Sequence, residues 1–247
     1  MPVMDEFREE REAIKNSSLS YKIKYIWDYY KWLIIGIIIA IPIFVSIVKD
    51  IASAKDYIFY GIFLNSFAES ESVDSYMNDF AMEYQLDTEN YDILLDNSLS
   101  MQFENYDDGS MATIHRIIAS ISIGELDILA ADPTVFEHYA TSDIFTDLST
   151  ILTDAQLEQL QPYFYYVDGA ETERRMNSQD AIAYTPVEYD HQDPDSMEKP
   201  ILVGLYIQDS PDLSQMFVFK DDACVIGIPQ GCKHQETALQ FIEYIFK

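Results

Sequence analysis

The groups able to do chemistry are few and scattered. The four histidines, His115, His138, His191 and His234, each stand alone in the chain. There is no HExxH pair and no second ligand at helical spacing, so no metal site is predicted. Neither a G-x-S-x-G elbow nor a Walker-type loop occurs, and eight glycines in 247 residues leave little room for a phosphate cradle. Ser46-Ile47-Val48-Lys49 matches S-x-x-K only formally, inside an apolar run. Asp and Glu number 43, so carboxylate pairs arise from abundance alone and identify no glycosidase-like dyad. Catalysis is therefore not expected, and no cofactor is called for.

Two features stand above this background. Cys224 and Cys232 would bracket the last strand and the start of the last helix. That turn-back geometry could bring the pair within disulfide range, given an oxidising compartment. Two unpaired thiols, one on a buried strand and one in a loop, are the alternative. The second feature is a set of aromatic residues amid negative charge: Tyr163-Phe164-Tyr165-Tyr166, Tyr184, Tyr189 and Tyr206. Such faces suit cations or sugars, and equally suit ordinary strand packing. Asp107-Asp108-Gly109 and Asp190–Asp195 read as solvated acidic loops without the spacing of an EF-hand.

The elements that must position these groups fall into two regimes of charge. Residues 1–55 carry eight Lys/Arg against seven Asp/Glu, whereas residues 56–247 carry seven against 36, a net of −29. So acidic a region repels phosphate backbones, which excludes sequence-independent nucleic-acid binding. With 48% hydrophobic and 23% charged residues, the chain as a whole is not disordered. The break lies at Trp32–Val48, WLIIGIIIAIPIFVSIV, 17 residues without a charge. As a helix this run is about 25 Å long, close to a hydrocarbon core of about 30 Å. Tyr21, Tyr25, Trp27, Tyr29, Tyr30 and Trp32 form an aromatic belt on its N-terminal side, and Pro42 is tolerated in such a span.

Lys15, Lys22, Lys24 and Lys31 precede the span, and only Lys49 and Lys55 follow it. The positive-inside rule then predicts a single-pass protein of the cell membrane, N-terminus cytoplasmic and C-terminal domain extracytoplasmic. Ala52-Ser53-Ala54 resembles a cleavage site, but the long mixed-charge leader and the long apolar core favour an uncleaved signal anchor. The expected divisions are a cytoplasmic tether at 1–31, a transmembrane helix at 32–48 and an extracytoplasmic domain at 56–247. The partner implied by Trp32–Val48 is the lipid bilayer.

The extracytoplasmic part alternates strands and helices. Tyr57–Leu64 and Tyr91–Leu95 read as strands. Ser70–Tyr84 has a helical face of Val73, Tyr76, Met77, Phe80 and Ala81, and Met111–Ile123 one of Ile114, Ile117, Ile118 and Ile121, stopped by Gly124. Leu126–Ala131 is almost wholly apolar, as a strand buried on both faces of a parallel sheet should be. Asp132 caps the next helix, with Pro133 in its first turn. Thr153–Gln161 and Gln235–Phe246 are further helices, the latter with Ala238, Leu239, Phe241, Ile242 and Ile245 on one face. Pro200–Gln208 and Cys224–Pro229 are strands, and Val167–Lys199 reads as a polar excursion with one short strand, AIAYTPV. This rhythm predicts an α/β domain with crossover helices.

The run Gly124–Leu152, GELDILAADPTVFEHYATSDIFTDLSTIL, and the ending CVIGIPQGCKHQETALQFIEYIF resemble segments of extracellular solute-binding proteins of the periplasmic-binding type II fold. The first resembles their G-x-x-D, strand, acidic turn, helix and D-L-S; the second resembles their terminal strand, turn and helix. The chain departs from that family in being short and in having a span instead of a lipid-modified cysteine. The resemblance implies a solute-binding-like α/β domain that presents a small ligand to a transporter or receptor. It implies ligand contacts at strand ends and helix starts: Asn65 and Ser66, Asp96, and Asp132 and Thr134. The alternative is a non-catalytic envelope interaction module with a degenerate binding cleft.

Overall fold

The computed structural model describes residues 18–53, 55–102, 107–177, 187–208 and 210–247. The chain divides into two compact units, Met1–Ala54 and Lys55–Lys247. In the first, helix α1 (Leu19–Ser53) runs 35 residues with Pro42 inside it. Its stretch Tyr30–Lys49 has a mean hydropathy of 2.5 and none of it is buried, which makes it long and apolar enough to cross a membrane. The predicted span lies within this stretch. The predicted tether lies largely outside the described residues.

The second unit is built on a six-stranded mixed sheet. Its strands are β1 (Tyr57–Phe63), β3 (Asp92–Asp96), β4 (Ile128–Ala131), β5 (Phe164–Asp168), β6 (Pro200–Tyr206) and β8 (Val225–Gly227), in the order β3-β1-β4-β8-β6-β5. β3, β1 and β4 are parallel, whereas β8 runs antiparallel to β4 and β6, and β5 antiparallel to β6. Two short strands, β2 (Ser66–Phe67) and β7 (Val218–Phe219), pair beside it. The helices are α2 (Ser70–Glu83), α3 (Asp108–Ser122), α4 (Pro133–Ala140), α5 (Asp154–Leu160), α6 (Gly169–Asn177), α7 (Pro211–Met216) and α8 (Gln235–Ile245).

Alternation along the strands divides the core between the two faces of the sheet. Phe59 and Phe63 of β1, Ile128 and Ala130 of β4, and Ile226 of β8 pack on one side with Tyr76, Met77 and Phe80 of α2 and Phe241, Ile242 and Ile245 of α8. Tyr60, Ile62, Leu129, Ala131 and Val225 point to the other, against Ile117 of α3 and Val135, Phe136 and Tyr139 of α4. The central strands are covered twice, which is why their sequences read as continuous apolar runs. For β4 this double cover comes from a mixed sheet: its neighbours are one parallel strand, β1, and one antiparallel strand, β8.

Local signals set several boundaries. The Asp132 carboxylate accepts from the Val135 amide at 3.1 Å and starts α4 at Pro133. Thr153 and Gln156 form a reciprocal capping box at the start of α5. Gly124 follows α3 at φ +69, and a Cβ there would lie 2.5 Å from the Gly231 carbonyl oxygen, so both conformation and space require glycine.

Some expectations are corrected. Asp107-Asp108-Gly109 is a helix start, not a loop: Asp107 accepts from the Ser110 amide at 2.7 Å and α3 begins at Asp108. Ile118 lies on the solvent side of α3, 52% exposed, so its apolar face is narrower than its sequence suggests. The polar segment after Val167 contains helix α6, seated by Asp168, which is buried and accepts from the amides of Ala170 and Lys199 at 3.0 Å. The expected strand AIAYTPV falls outside the described residues except for Val187.

Candidate functional site

The C-terminal ends of β3, β1 and β4 lie side by side, and the chain delivers a polar residue at each. Asn65, two residues beyond β1, sits at φ 52, a left-handed conformation that asparagine tolerates better than most residues. Its Nδ2 donates to Asp132 Oδ2 at 2.8 Å and to the Met101 carbonyl at 2.9 Å. Its Oδ1 accepts from the Met101 amide at 2.8 Å. Asp132, 2% exposed, divides its carboxylate between this asparagine and the cap of α4. Of the five residues singled out from the sequence, the structure joins these two directly.

The other three have separate partners or positions. Asp96 ends β3, buried, with Oδ1 accepting from the Ser98 amide at 2.9 Å and the Ser98 hydroxyl at 2.6 Å, and Oδ2 paired with Arg116 Nη2 at 2.8 Å. Ser66 donates its hydroxyl to the Phe63 carbonyl at 2.9 Å. Thr134 is exposed in the first turn of α4. The strand-end cluster is thus polar, convergent and internally hydrogen-bonded.

At the opposite end of β4 lies a cluster that sequence spacing did not suggest. Asp127 is fully buried, and its carboxylate accepts from the Tyr60 amide at 2.9 Å, from the Cys232 thiol at 3.1 Å and, at 3.3 Å, faces His234 Nδ1. Of the two alternatives for Cys224 and Cys232, the structure has the unpaired one: both cysteines are free. Cys224 is packed in the core, and Cys232 directs its thiol to Asp127. Burial, then the Asp127 charge, pushes the Cys232 thiol far above the usual range, and burial does the same for Cys224. Neither is an activated nucleophile. The partners are 105 residues apart in sequence, and only the topology brings them together.

The tyrosine-rich run Tyr163–Tyr166 is accounted for by packing. Tyr165 is buried in β5, stacked on His191 with centroids 4.2 Å apart and edge-on to Tyr206 at 5.5 Å. Tyr163 packs on Phe246 at 4.6 Å. Tyr184 lies outside the described residues.

Cavities among the described residues include the following three. One of about 520 Å³ is a groove between α2, α7 and α8, with Tyr76, Asp79, Asp212 and Tyr244 in its lining. One of about 270 Å³ is mostly apolar, between Ile114, Ile118 and Ile121 of α3 and His138 and Tyr139 of α4. The third, about 330 Å³, lies beside β3 and α2. None of the three is lined by Asn65, Asp132 or Asp96.

The domain is thus of the mixed α/β class, a doubly covered sheet with polar residues gathered at the ends of its parallel strands. No protein-family model matches the chain, and no curated protein matches it. Among solved structures, it is similar to a protein described as a candidate oligosaccharide periplasmic-binding protein from Synechococcus sp. MITs9220, crystallised in complex with zinc. The TM-score is 0.33 and the identity 8%, over 76% of this chain and 73% of that one. At that distance the likeness says nothing of this chain's ligand.

Proposed function

We propose that this chain is a membrane-tethered, non-catalytic, extracytoplasmic solute-binding-like protein that presents a small ligand to a transporter or receptor. The observation that carries the reading is the convergence of Asp96, Asn65 and Asp132 at the ends of three adjacent parallel strands. In open α/β sheets the crevice beyond the carboxyl ends of the strands is where ligands bind. The sequence resemblance supports the same reading. Helix α1, apolar and unburied over Tyr30–Lys49, supports a single uncleaved span, and the lysines before it support a cytoplasmic N-terminus. With a net charge of −29 beyond residue 55, amines and sugars are favoured over anions.

A second reading, an interaction module with a degenerate cleft, is favoured by one observation: Asn65, Asp132, Asp96 and Ser66 already have hydrogen-bond or ion-pair partners within the fold. A thermal-shift screen of the full chain in detergent against sugars, amines and anions separates the two. A solute binder is stabilised by one chemical class, by about 2.7 kcal/mol at a hundredfold excess over Kd. Asp132→Asn should weaken that ligand more than it lowers the melting temperature. No hit in the screen, together with a membrane protein that copurifies stoichiometrically, establishes the second reading.

A further inference from the structure

The cavity between α3 and α4 differs in chemistry from the rest of this acidic domain. Ile114, Ile118 and Ile121 recur at spacings of four and three, so they share one face of α3. Ile117, one position before Ile118, is fully buried and packs into the core. The apolar surface of α3 therefore extends past the core, into a concavity of about 270 Å³ walled on its other side by His138, Tyr139 and Ile144.

The polar groups in this lining are uncharged, and their hydroxyl protons are already given away. Ser122 donates to the Ile118 carbonyl at 2.7 Å, and Ser142 to the His138 carbonyl at 3.0 Å. The Tyr139 hydroxyl donates to Met101 Sδ at 3.6 Å. Burial first, and then the Arg175 charge, lowers the His138 pKa below its ordinary value, so the ring is neutral at neutral pH. No carboxylate lines the cavity, whereas Asp79 and Asp212 line the groove between α2, α7 and α8, and Asp74 and Asp92 the cavity beside β3.

We propose that this cavity is a binding site for a small uncharged molecule with a hydrocarbon ring or short chain. The three isoleucines cover the hydrocarbon, and a neutral polar end such as a hydroxyl stays at the rim, beside the exposed Ser122 and Ser142. Size sets the class. An aliphatic-walled cavity of about 150 Å³ holds one benzene, so about 270 Å³ has room for roughly ten heavy atoms. A charged ligand would lose its hydration and meet no counter-charge. A protein partner is a poor fit, since a stable interface takes about 20–30 residues a side, and eight line this cavity. A second copy would also bring a second domain of net charge −29 against the first. The site shares no residue with the strand-end cluster and stands independently of the reading given to it.

The test uses the full chain in phosphatidylcholine nanodiscs with methyl-labelled isoleucine, titrated with cyclohexanol, cyclohexylammonium and cyclohexanecarboxylate. Cyclohexanol should give saturable shifts of the Ile114, Ile118 and Ile121 methyl signals, with a Kd of about 1 mM for so small a ligand. Both ions, which carry the same ring, should bind at least about tenfold more weakly. Ile118→Asp, at a position 52% exposed and so tolerant of change, should raise the cyclohexanol Kd by about tenfold. Ile123→Asp, at an equally exposed isoleucine outside the lining, should leave it unchanged. The proposal is overturned if no saturation appears by about 20 mM cyclohexanol, or if cyclohexylammonium binds more tightly than cyclohexanol, as the charge of the whole domain alone would dictate. It is equally overturned if Ile123→Asp weakens binding as much as Ile118→Asp, or if sedimentation shows a dimer that Ile118→Asp dissociates.

Discussion

Asn65 and Asp132, 67 residues apart in sequence, meet side chain to side chain at 2.8 Å across the ends of β1 and β4. The contact ties the first strand's exit to the cap of α4, and Met101 closes it from the third side. One asparagine thereby holds the relative positions of the first strand, the returning loop and a helix start.

That geometry separates two contributions by substitution. Asn65→Gly keeps the left-handed backbone but strands the buried Asp132 oxygen and both Met101 backbone groups, at a cost of about 3 kcal/mol. Asn65→Ala loses the same bonds and adds about 1 kcal/mol of left-handed strain. Urea denaturation of both variants should rank them in that order. Equal stabilities would show that the φ of 52 is relaxed without asparagine.

The Asp127–Cys232 pair predicts an alkaline weakness. The folded state raises the Cys232 pKa, through burial first and Asp127 second, above an unfolded value of about 8.5. Its contribution is therefore fully present below about pH 8.5 and is lost as pH rises further, because only the unfolded chain can ionise the thiol. The stability advantage of the parent over Cys232→Ser should shrink between about pH 8 and pH 10. Cys224 and the tyrosines are common to both proteins and cancel. A pH-independent difference would show that the fold does not raise the Cys232 pKa at all. Without reductant, the denatured chain should take up two alkyl groups, since neither cysteine is bonded.

For the anchor, carbonate extraction should leave the full chain in the membrane pellet and release a chain beginning at Lys55. Protease added from the extracytoplasmic side should digest the acidic domain and spare the residues before Trp32. Release of the full chain by carbonate would overturn the span, whereas a mature N-terminus at Lys55 would show a cleaved leader instead.

What could be read from the sequence was whatever is periodic or adjacent. The face Val73, Tyr76, Met77, Phe80 and Ala81 is the buried face of α2, residue for residue, because a 3.6-residue period depends only on neighbours. Asp132-Pro133 marked the start of α4 for the same reason. Pairings over long separations left no such trace. The reversal of β8, the small β2–β7 pair and the Asp127–Cys232 contact depend on where the sheet places distant segments. Helix α6, GAETERRMN, was hidden because it has almost no apolar residues to mark a face and its seat is a buried aspartate. At the strand ends the residue types were legible, but their mutual saturation was not. The groove between α2, α7 and α8 was half legible: Tyr76 stood out as core, while its pairing with Tyr244 required α8 in place.

The strand order also governs how this chain can be made. β8 comes from the last tenth of the sequence, yet it lies in the middle of the sheet, bonded to β4 on one side and β6 on the other. Until Val225–Gly227 arrives, the sheet exists as two unjoined halves with raw edges at β4 and β6, open to strand pairing with other chains. Closing the sheet is therefore a long-range event that must wait for β8. A protein shortened by some two dozen residues at its C-terminus would therefore not be a slightly smaller version of this fold. It would be a pair of sticky fragments on one chain, fit for aggregation or degradation.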